Sequence, residues 1–320
     1  MKRTLLSLLS LAGAAWLALS PLSAAPARIV AVGDVHGGDA AFAAILQRAG
    51  VIDAGRRWVG GNTVLVQTGD VTDRGDGVRA ALDLLMALER EAPKAGGRVH
   101  MALGNHEVMN MLGDTRDVTP EIFASFGGER AFREAMGPKG RYGRWLRSHQ
   151  TIVKVGDSLF MHAGINPDVT TESIDWLNRN VRAQITRWDE AVASLERAEL
   201  VRPLAPFMEV VGAASGANLS LANIGNTHLF HPEGVLWFRG YNTWTDEQGA
   251  AKMAALLERY QVKRIVTGHS VQPNGLIRER FSGGLYLIDT GLLGGRFFPG
   301  GRASALEIRD TTVKPIYLDN

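Results

Sequence analysis

Between Gly69 and Gly75 the sequence reads GDVTDRG, which sets two carboxylates and a guanidinium within five residues of one another. Glycine at either end frees the backbone to turn. Such a stretch can aim one charge at a metal, one at a neighbouring imidazole and one at an anion. Four other polar clusters are spread along the chain: Asp34 and His36 in GDVHGG, Asn105 and His106 in GNHE, His162 in MHAG, and His269 in TGHS. Carboxylates, imidazoles and amide oxygens are hard-to-borderline ligands suited to manganese, iron or zinc. A single histidine of this kind is an ordinary structural residue. Five clusters that each close an apolar run point together to one metal site.

The runs before these clusters have the composition of buried strands, and open α/β sheets place their chemistry just past strand ends. Strands are predicted at 28–32, 63–68 and 98–103, and two more at 151–155 and 158–161 are joined by a Gly156-Asp157 turn. Helices follow the first two: Asp39 is expected to cap one that buries Phe42, Ile45, Leu46 and Ala49, and Val78, Leu82, Leu85 and Leu88 line the next. Residues 108–150 lose the alternation and read as a helical insertion capping the site. A second insertion spans about 170–232. It opens on a helix in which Ile174, Leu177, Val181, Ile185, Trp188, Val192 and Leu195 recur every three or four positions, then weakens into a loop-rich stretch from 203 to 232. A helix at 247–260 leads to a strand at 264–267. The tail alternates strands at 285–288, 305–308 and 313–317 with glycine turns. With no helices between them, these late strands are expected to build a second, partly antiparallel sheet against the first.

The 320 residues are 45% hydrophobic, with 35 Lys and Arg, 33 Asp and Glu, and no cysteine. That is ample for one large core, and the absence of cysteine excludes a disulfide framework and a lipid-modified thiol. The N-terminus joins Lys2 and Arg3 to an apolar run at 5–19 and small residues at 21–27, the layout of a secretory signal cleaved near 25–27. The run is shorter than the roughly 20 apolar residues that span a bilayer, so no stable membrane anchor is expected and the mature chain should be periplasmic or secreted. Removing residues 1–27 takes away two bases and no acid, which leaves 33 of each sign. A formally neutral chain gives no footing for a nucleic-acid partner.

In order, GDVHG, GDVTDRG, GNHE, the histidine of MHAG and the histidine of TGHS resemble the motif series of the calcineurin-like metallophosphoesterases, in their phosphoprotein phosphatase branch. The likeness spans about residues 28–291. Within that branch GRYGRWLRS (140–148), VLWFRGY (235–241) and IDTG (288–291) are similar to the bacterial Shewanella-like protein phosphatases. The resemblance implies an α/β (α+β) fold for residues 28–320: two packed mixed β-sheets flanked by helices, an αββα sandwich with a helical cap insertion. It also implies two divalent or trivalent metal ions (Mn, Fe or Zn), with Asp34 and His36 on the first, Asp70 bridging both, and Asn105, His162 and His269 completing the second. By the same resemblance Arg74, Arg239 and Asn105 hold phosphate oxygens, His106 protonates the leaving oxygen, and Asp73 fixes the tautomer of His106. Two such ions, about 3.5–4 Å apart, would share the hydroxide that attacks phosphorus.

The expected protein is therefore an exported dinuclear phosphomonoesterase. Its substrate would be phosphotyrosine or phosphoserine/threonine in a protein or peptide, or a small phosphomonoester. The alternatives are a dinucleoside polyphosphate hydrolase or another small-molecule phosphoesterase, and a non-catalytic phosphate-binding module, against which intact His106, Asp73 and Arg74 argue. Two departures narrow what the resemblance implies. Ile288-Asp289-Thr290-Gly291 stands where the eukaryotic enzymes carry Ser-Ala-Pro-Asn-Tyr, so their inhibitor sensitivity and serine/threonine preference do not follow. Gly268-His269-Ser270-Val271 lacks the second histidine of the Gly-His-x-His found in many phosphodiesterases, which with Arg74 favours monoesters. Trp237 and Tyr241 either flank the substrate or pack, and His100, His149, His228 and His231 match no motif.

Overall fold

The computed structural model describes residues 28–217 and 220–318, so the secretory signal expected over 1–27 lies outside the described residues. Three strand-turn-helix units open the fold: β1 (Ile29–Val32) leads to α1 (Asp39–Arg48), β2 (Val64–Gln67) to α2 (Val78–Glu91), and β3 (Arg98–Met101) to α3 (Asn105–Met111). Short helices α4 (Pro120–Phe126), α5 (Glu129–Met136) and α6 (Arg141–Arg147) precede the hairpin of β4 (Ile152–Val155) and β5 (Ser158–Met161). Then come α7 (Ile174–Arg197), α8 (Phe207–Gly216), α9 (Gly240–Thr243) and α10 (Asp246–Tyr260). The chain closes on β6 (Arg264–Thr267), β7 (Arg278–Arg280), β8 (Leu285–Leu287), β9 (Ser304–Arg309) and β10 (Thr312–Tyr317).

The strands form two mixed five-stranded sheets, ordered β10-β9-β1-β2-β3 and β4-β5-β6-β8-β7. Each has three parallel strands, β1, β2 and β3 in the first and β5, β6 and β8 in the second, with antiparallel strands at the margins. Because side chains alternate across a strand, Ile29, Ala31, Val64 and Val66 meet Val153, Phe160, Val266 and Tyr286 in a layer between the sheets. Val30, Val32 and Leu65 face the helices instead. Each fully buried Val, Leu, Ile or Phe in these layers contributes roughly 1.5–3 kcal/mol relative to exposure. The result is the αββα sandwich with helices on the outer faces. The stripe of α7 packs inward through Leu177, Val181, Ile185, Trp188 and Leu195. No helix among the described residues is long and apolar enough to cross a membrane.

Four local expectations are corrected. Asp39 does not cap α1: Gly38 holds that position with no side-chain bond, and Asp39 is the first helical residue, pairing with Arg56. The turn before it is already closed by Gly38 N–H donating to Val35 O, so the helix begins one residue early and places the acid where the helix dipole favours it. The late strands do not form one sheet. β8 lies beside β6, whereas β9 and β10 return to the first sheet, where β9 covers the edge of β1 not used by β2. An uncovered β1 edge would expose a row of unpaired backbone groups. The stretch from 203 holds α8, whose Phe207 stacks on Trp188 with ring centroids 5.0 Å apart. Its Ala and Gly content hid the period. Finally, β7 carries Arg-Glu-Arg, a charged edge strand with no apolar signal, in which Arg280 is buried and donates to Tyr241 O and Trp244 O.

Candidate active site

The C-terminal ends of all six parallel strands face one cavity of about 390 Å³. Asp34 and His36 follow β1, Asp70, Asp73 and Arg74 follow β2, and Asn105 and His106 open α3 just after β3. From the other sheet His162 follows β5, His269 follows β6 and Asp289 follows β8. The cavity is lined by Asp34, His36, Asp70, Arg74, Asn105, His106, Arg239 and His269, together with Trp237, Asp289 and Phe298. Asp73 and His162 are buried behind its wall. Every site residue named from the sequence is thus brought to one place, and His100, His149, His228 and His231 lie outside it.

The turns that carry these side chains are strained. His36, Asp70, Asp73, Arg74 and His269 have φ values of 44°, 57°, 71°, 70° and 66°, in the left-handed region that costs of order 1–3 kcal/mol for a residue with a Cβ. Hydrogen bonds hold them there. Val35 and His36 N–H both donate to Asp70 O at 2.9 Å. The Glu107 carboxylate accepts from the N–H groups of Asp70, Val71, Thr72 and Gly104 at 2.7, 2.8, 3.1 and 2.9 Å. Two glycines are steric necessities: a Cβ at Gly104 would overlap Asp70 Oδ1, and one at Gly268 would overlap Asp34 Oδ1.

Backbone carbonyls fix the imidazole tautomers. His36 Nδ1 donates to Thr72 O at 2.9 Å, His162 Nδ1 to Thr68 O at 3.1 Å, and His269 Nε2 to Trp237 O at 3.2 Å. The remaining nitrogen of each ring then presents a lone pair to the cavity, the usual arrangement for metal-ligating histidine. His162 Nε2 lies 2.9 Å from Asn105 Oδ1, 2.9 Å from His269 Nδ1 and 3.2 Å from Asp70 Oδ2, a convergence of acceptors with no proton between them. On the other side Asp70 Oδ2 lies 3.7 Å from His36 Nε2, which is 3.9 Å from Asp34 Oδ2. Asp34, Asp70 and Asp289 pair with no lysine or arginine among the described residues. Converging lone pairs and buried carboxylates that no lysine or arginine neutralises fit cations, and Asp70 Oδ2 belongs to both donor sets.

The titratable groups divide accordingly. Burial holds His36 down to about 3 and, with His162 and Arg239, pushes His269 well below the usual imidazole range, so both stay neutral. His106 goes the other way: against the cost of burial, Asp70 and Asp73 raise it to about 9. Its Nδ1 is 2.6 Å from Asp73 Oδ2, and Asp73 Oδ1 accepts from Asn110 Nδ2 at 2.9 Å. Burial, then the charges of Asp289 and Asp70, push the Asp34 carboxyl well up. Arg74 Nη2 lies 3.4 Å from His106 Nε2, and Arg239 Nη1 donates to His269 O at 3.0 Å.

Neutral ligand imidazoles beside one protonated imidazole and two guanidiniums make a hydrolytic phosphate site. The calcineurin-like phosphoesterase family matches residues 27–273. The chain belongs to that family. It is a metal-dependent phosphoesterase. An uncharacterized protein of Schizosaccharomyces pombe is 30% identical over 83% of this chain and 74% of its own length. Shewanella-like protein phosphatase 1 of Plasmodium berghei is 27% identical over 83% of this chain and 67% of its own. A mutant form of a cold-active protein tyrosine phosphatase matches in structure with a TM-score of 0.70 and 27% identity, covering 91% of this chain and 80% of that one.

Several residues of the phosphoesterase site have no role that the sequence pattern assigns. Glu107 stands in GNHE and Asp289 in IDTG, while Asn110, Arg116, Asp117 and Phe298 belong to no motif. Asp289 is 1% exposed, burial pushes its carboxyl up to about 6, and its Oδ2 has no hydrogen-bond partner. The available signal was position: it follows β8 as His269 follows β6.

Proposed function

We propose that the chain is an exported phosphomonoesterase that uses two metal ions to release phosphate from phosphotyrosine or phosphoserine/threonine, in a protein, a peptide or a small ester. The observation that carries this reading is Asp70 Oδ2 standing in two donor sets at once. Asp34, His36 and Asp70 would hold one ion, and Asp70, Asn105, His162 and His269 the other. A donor set of oxygen and imidazole nitrogen suits manganese, iron or zinc. Bound there, such a pair lowers the pKa of water and offsets charge on phosphoryl oxygens.

The chain's own groups do the rest. Arg74 and Arg239 present guanidinium forks to the non-bridging phosphate oxygens, with the Asn105 amide beside them. Asp73 holds Nδ1 of His106, which leaves the Nε2 proton facing the cavity for the departing oxygen. General-acid help of this kind is worth about 10²–10⁴ in rate. A second cavity of about 480 Å³ shares Trp237 and Arg239 with the first, which gives room for residues flanking a phosphorylated side chain. The tyrosine phosphatase neighbour supports phosphotyrosine as a substrate. The basic start and apolar run of residues 1–27 support export.

Elemental analysis of the purified protein should find two metal ions per chain, and a panel of substrates should show release from phosphotyrosine or phosphoserine peptides. A metal-free protein, or a metal-loaded one that cleaves only diadenosine tetraphosphate, sinks the reading.

A further inference from the structure

Arg74 is an unusual anion-binding arginine because nothing acidic holds it. Among the described residues it makes no ion pair, and its Nε is buried without a hydrogen-bond partner. Among the described residues the only polar contact of its side chain is the 3.4 Å approach of Nη2 to His106. The whole charge is therefore kept for an incoming anion. An unfixed arginine, however, loses rotamer entropy when it grips one.

The missing constraint comes from a different part of the chain. After β8 the segment at 291–301 doubles back through Gly291, which has φ 67°, with Phe298 N–H donating to Gly294 O and Gly301 N–H to Phe298 O. This tucks Phe298 into the cavity wall at 9% exposure. The Arg74 guanidinium carbon sits 5.3 Å from the centroid of its ring. The same ring stacks on His36, with centroids 5.5 Å apart and planes 25° from parallel. Since His36 is anchored to Thr72 O, the phenyl ring is itself anchored, and it gives the guanidinium a fixed aromatic seat.

We propose that Phe298 is a positioning residue that orients Arg74 for the phosphoryl group, an inference that rests on the phosphomonoesterase reading above. Its contribution bears on the grip of the phosphate oxygens, which every monoester shares, and not on the leaving group.

The test is a double-mutant cycle read by inorganic phosphate as a competitive inhibitor. Phe298→Leu should weaken phosphate binding about 3- to 30-fold, the range of one cation–π contact, and raise KM by the same factor for aryl and alkyl phosphates. Phe298→Tyr should stay within about twofold of wild type, since it keeps the ring. Metal content should not change. In an Arg74→Ala background, Phe298→Leu should cost nothing further. A full additional loss in that background, or loss of metal in Phe298→Leu, overturns the proposal by tracing the effect to His36 or the loop. Unchanged phosphate affinity also overturns it. If Phe298→Leu does not fold, Phe298→Met carries the same expectations. A wild-type protein that neither binds phosphate nor hydrolyses any monoester would defeat the underlying reading, an outcome distinct from a phosphate-binding enzyme indifferent to Phe298.

Discussion

At the ends of β1, β2 and β3 the cavity receives Asp34, His36, Asp70, Asp73, Arg74, Asn105 and His106, all within one continuous stretch, whereas β5, β6 and β8 send His162, His269 and Asp289 from across the rest of the chain. The two groups are also held differently. The first-sheet turns bond to one another through Asp70 O and the Glu107 carboxylate. The second-sheet histidines lean on the first sheet: His162 Nδ1 donates to Thr68 O, and His269 N–H donates to Asp34 Oδ1 at 3.0 Å. One half is a self-supporting charged cradle and the other a lid of two imidazoles and the Asp289 carboxyl, completed only when the sheets pack. Substitutions in the cradle should therefore disturb the whole site, and substitutions in the second half should disturb one edge of it.

The largest effect is expected from Asp70→Asn, which replaces the only oxygen common to both donor sets with a neutral group. Turnover should fall on the order of 10³-fold or more, with loss of both metals by elemental analysis, because several kcal/mol of charge stabilisation go with them. Retention of two ions in that variant would undo the bridging assignment. Next comes Glu107→Gln. An amide can no longer accept from four backbone N–H groups with two anionic oxygens, and its own NH₂ faces donors. Chemical denaturation should show a loss of about 3 kcal/mol, the scale for charge-assisted bonds in a buried site. A change below about 1 kcal/mol would mean the turns are held by something else.

These contrasts also show what could be read from residues alone. The cradle's placement was legible because its polar side chains sit at the ends of short β-branched runs only a turn from their helices, so local pattern located both element and side chain. His162 and His269 were legible as single residues closing strands. Asp289 was not, since a buried carboxylate is defined by what it faces, and its neighbour Asp34 is far away in sequence. Glu107 was hidden for a related reason: its partners are backbone amides, which have no letter in a sequence. The division of the tail between sheets was illegible because β8 and β9 are both apolar, and only the free edge of β1 decides which strand returns. In β7 burial of Arg280 is set by the carbonyls of Tyr241 and Trp244, not by hydropathy.

The cradle's charge can be weighed in chelated protein by varying pH. Asp70 and Asp73 raise His106 to about 9 in the folded chain, against an ordinary value of 6.5. The protonated ring therefore contributes stability that is fully present below pH 6.5 and lost as pH rises through about 9. In EDTA, wild-type protein should lose roughly 2–3 kcal/mol more than His106→Asn between pH 6 and 9.5, read from urea midpoints. Equal losses in the two proteins would mean that the carboxylates do not hold a proton on this ring.

The smallest effect belongs to the second half, and its sign depends on metal. His269→Gln would remove one proposed ligand and leave Asp70, Asn105 and His162 in place, so affinity at a single site should drop by at least the roughly 10- to 100-fold that losing a ligand's hydrogen-bond partner costs, and recover in excess metal. Asp70→Asn should show no such recovery. Without metal the native ring is a liability, because the lone pair of His269 Nδ1 faces that of His162 Nε2 at 2.9 Å. The variant relieves that opposition by letting the Gln NH₂ donate to His162. Chelated His269→Gln should therefore melt no lower than chelated wild type, while the metal-loaded variant melts lower than its wild-type counterpart. A variant that melts lower in both states would show that His269 is a packing residue whose nitrogen faces nothing that matters, and the division between charged cradle and ligand lid would fall with it.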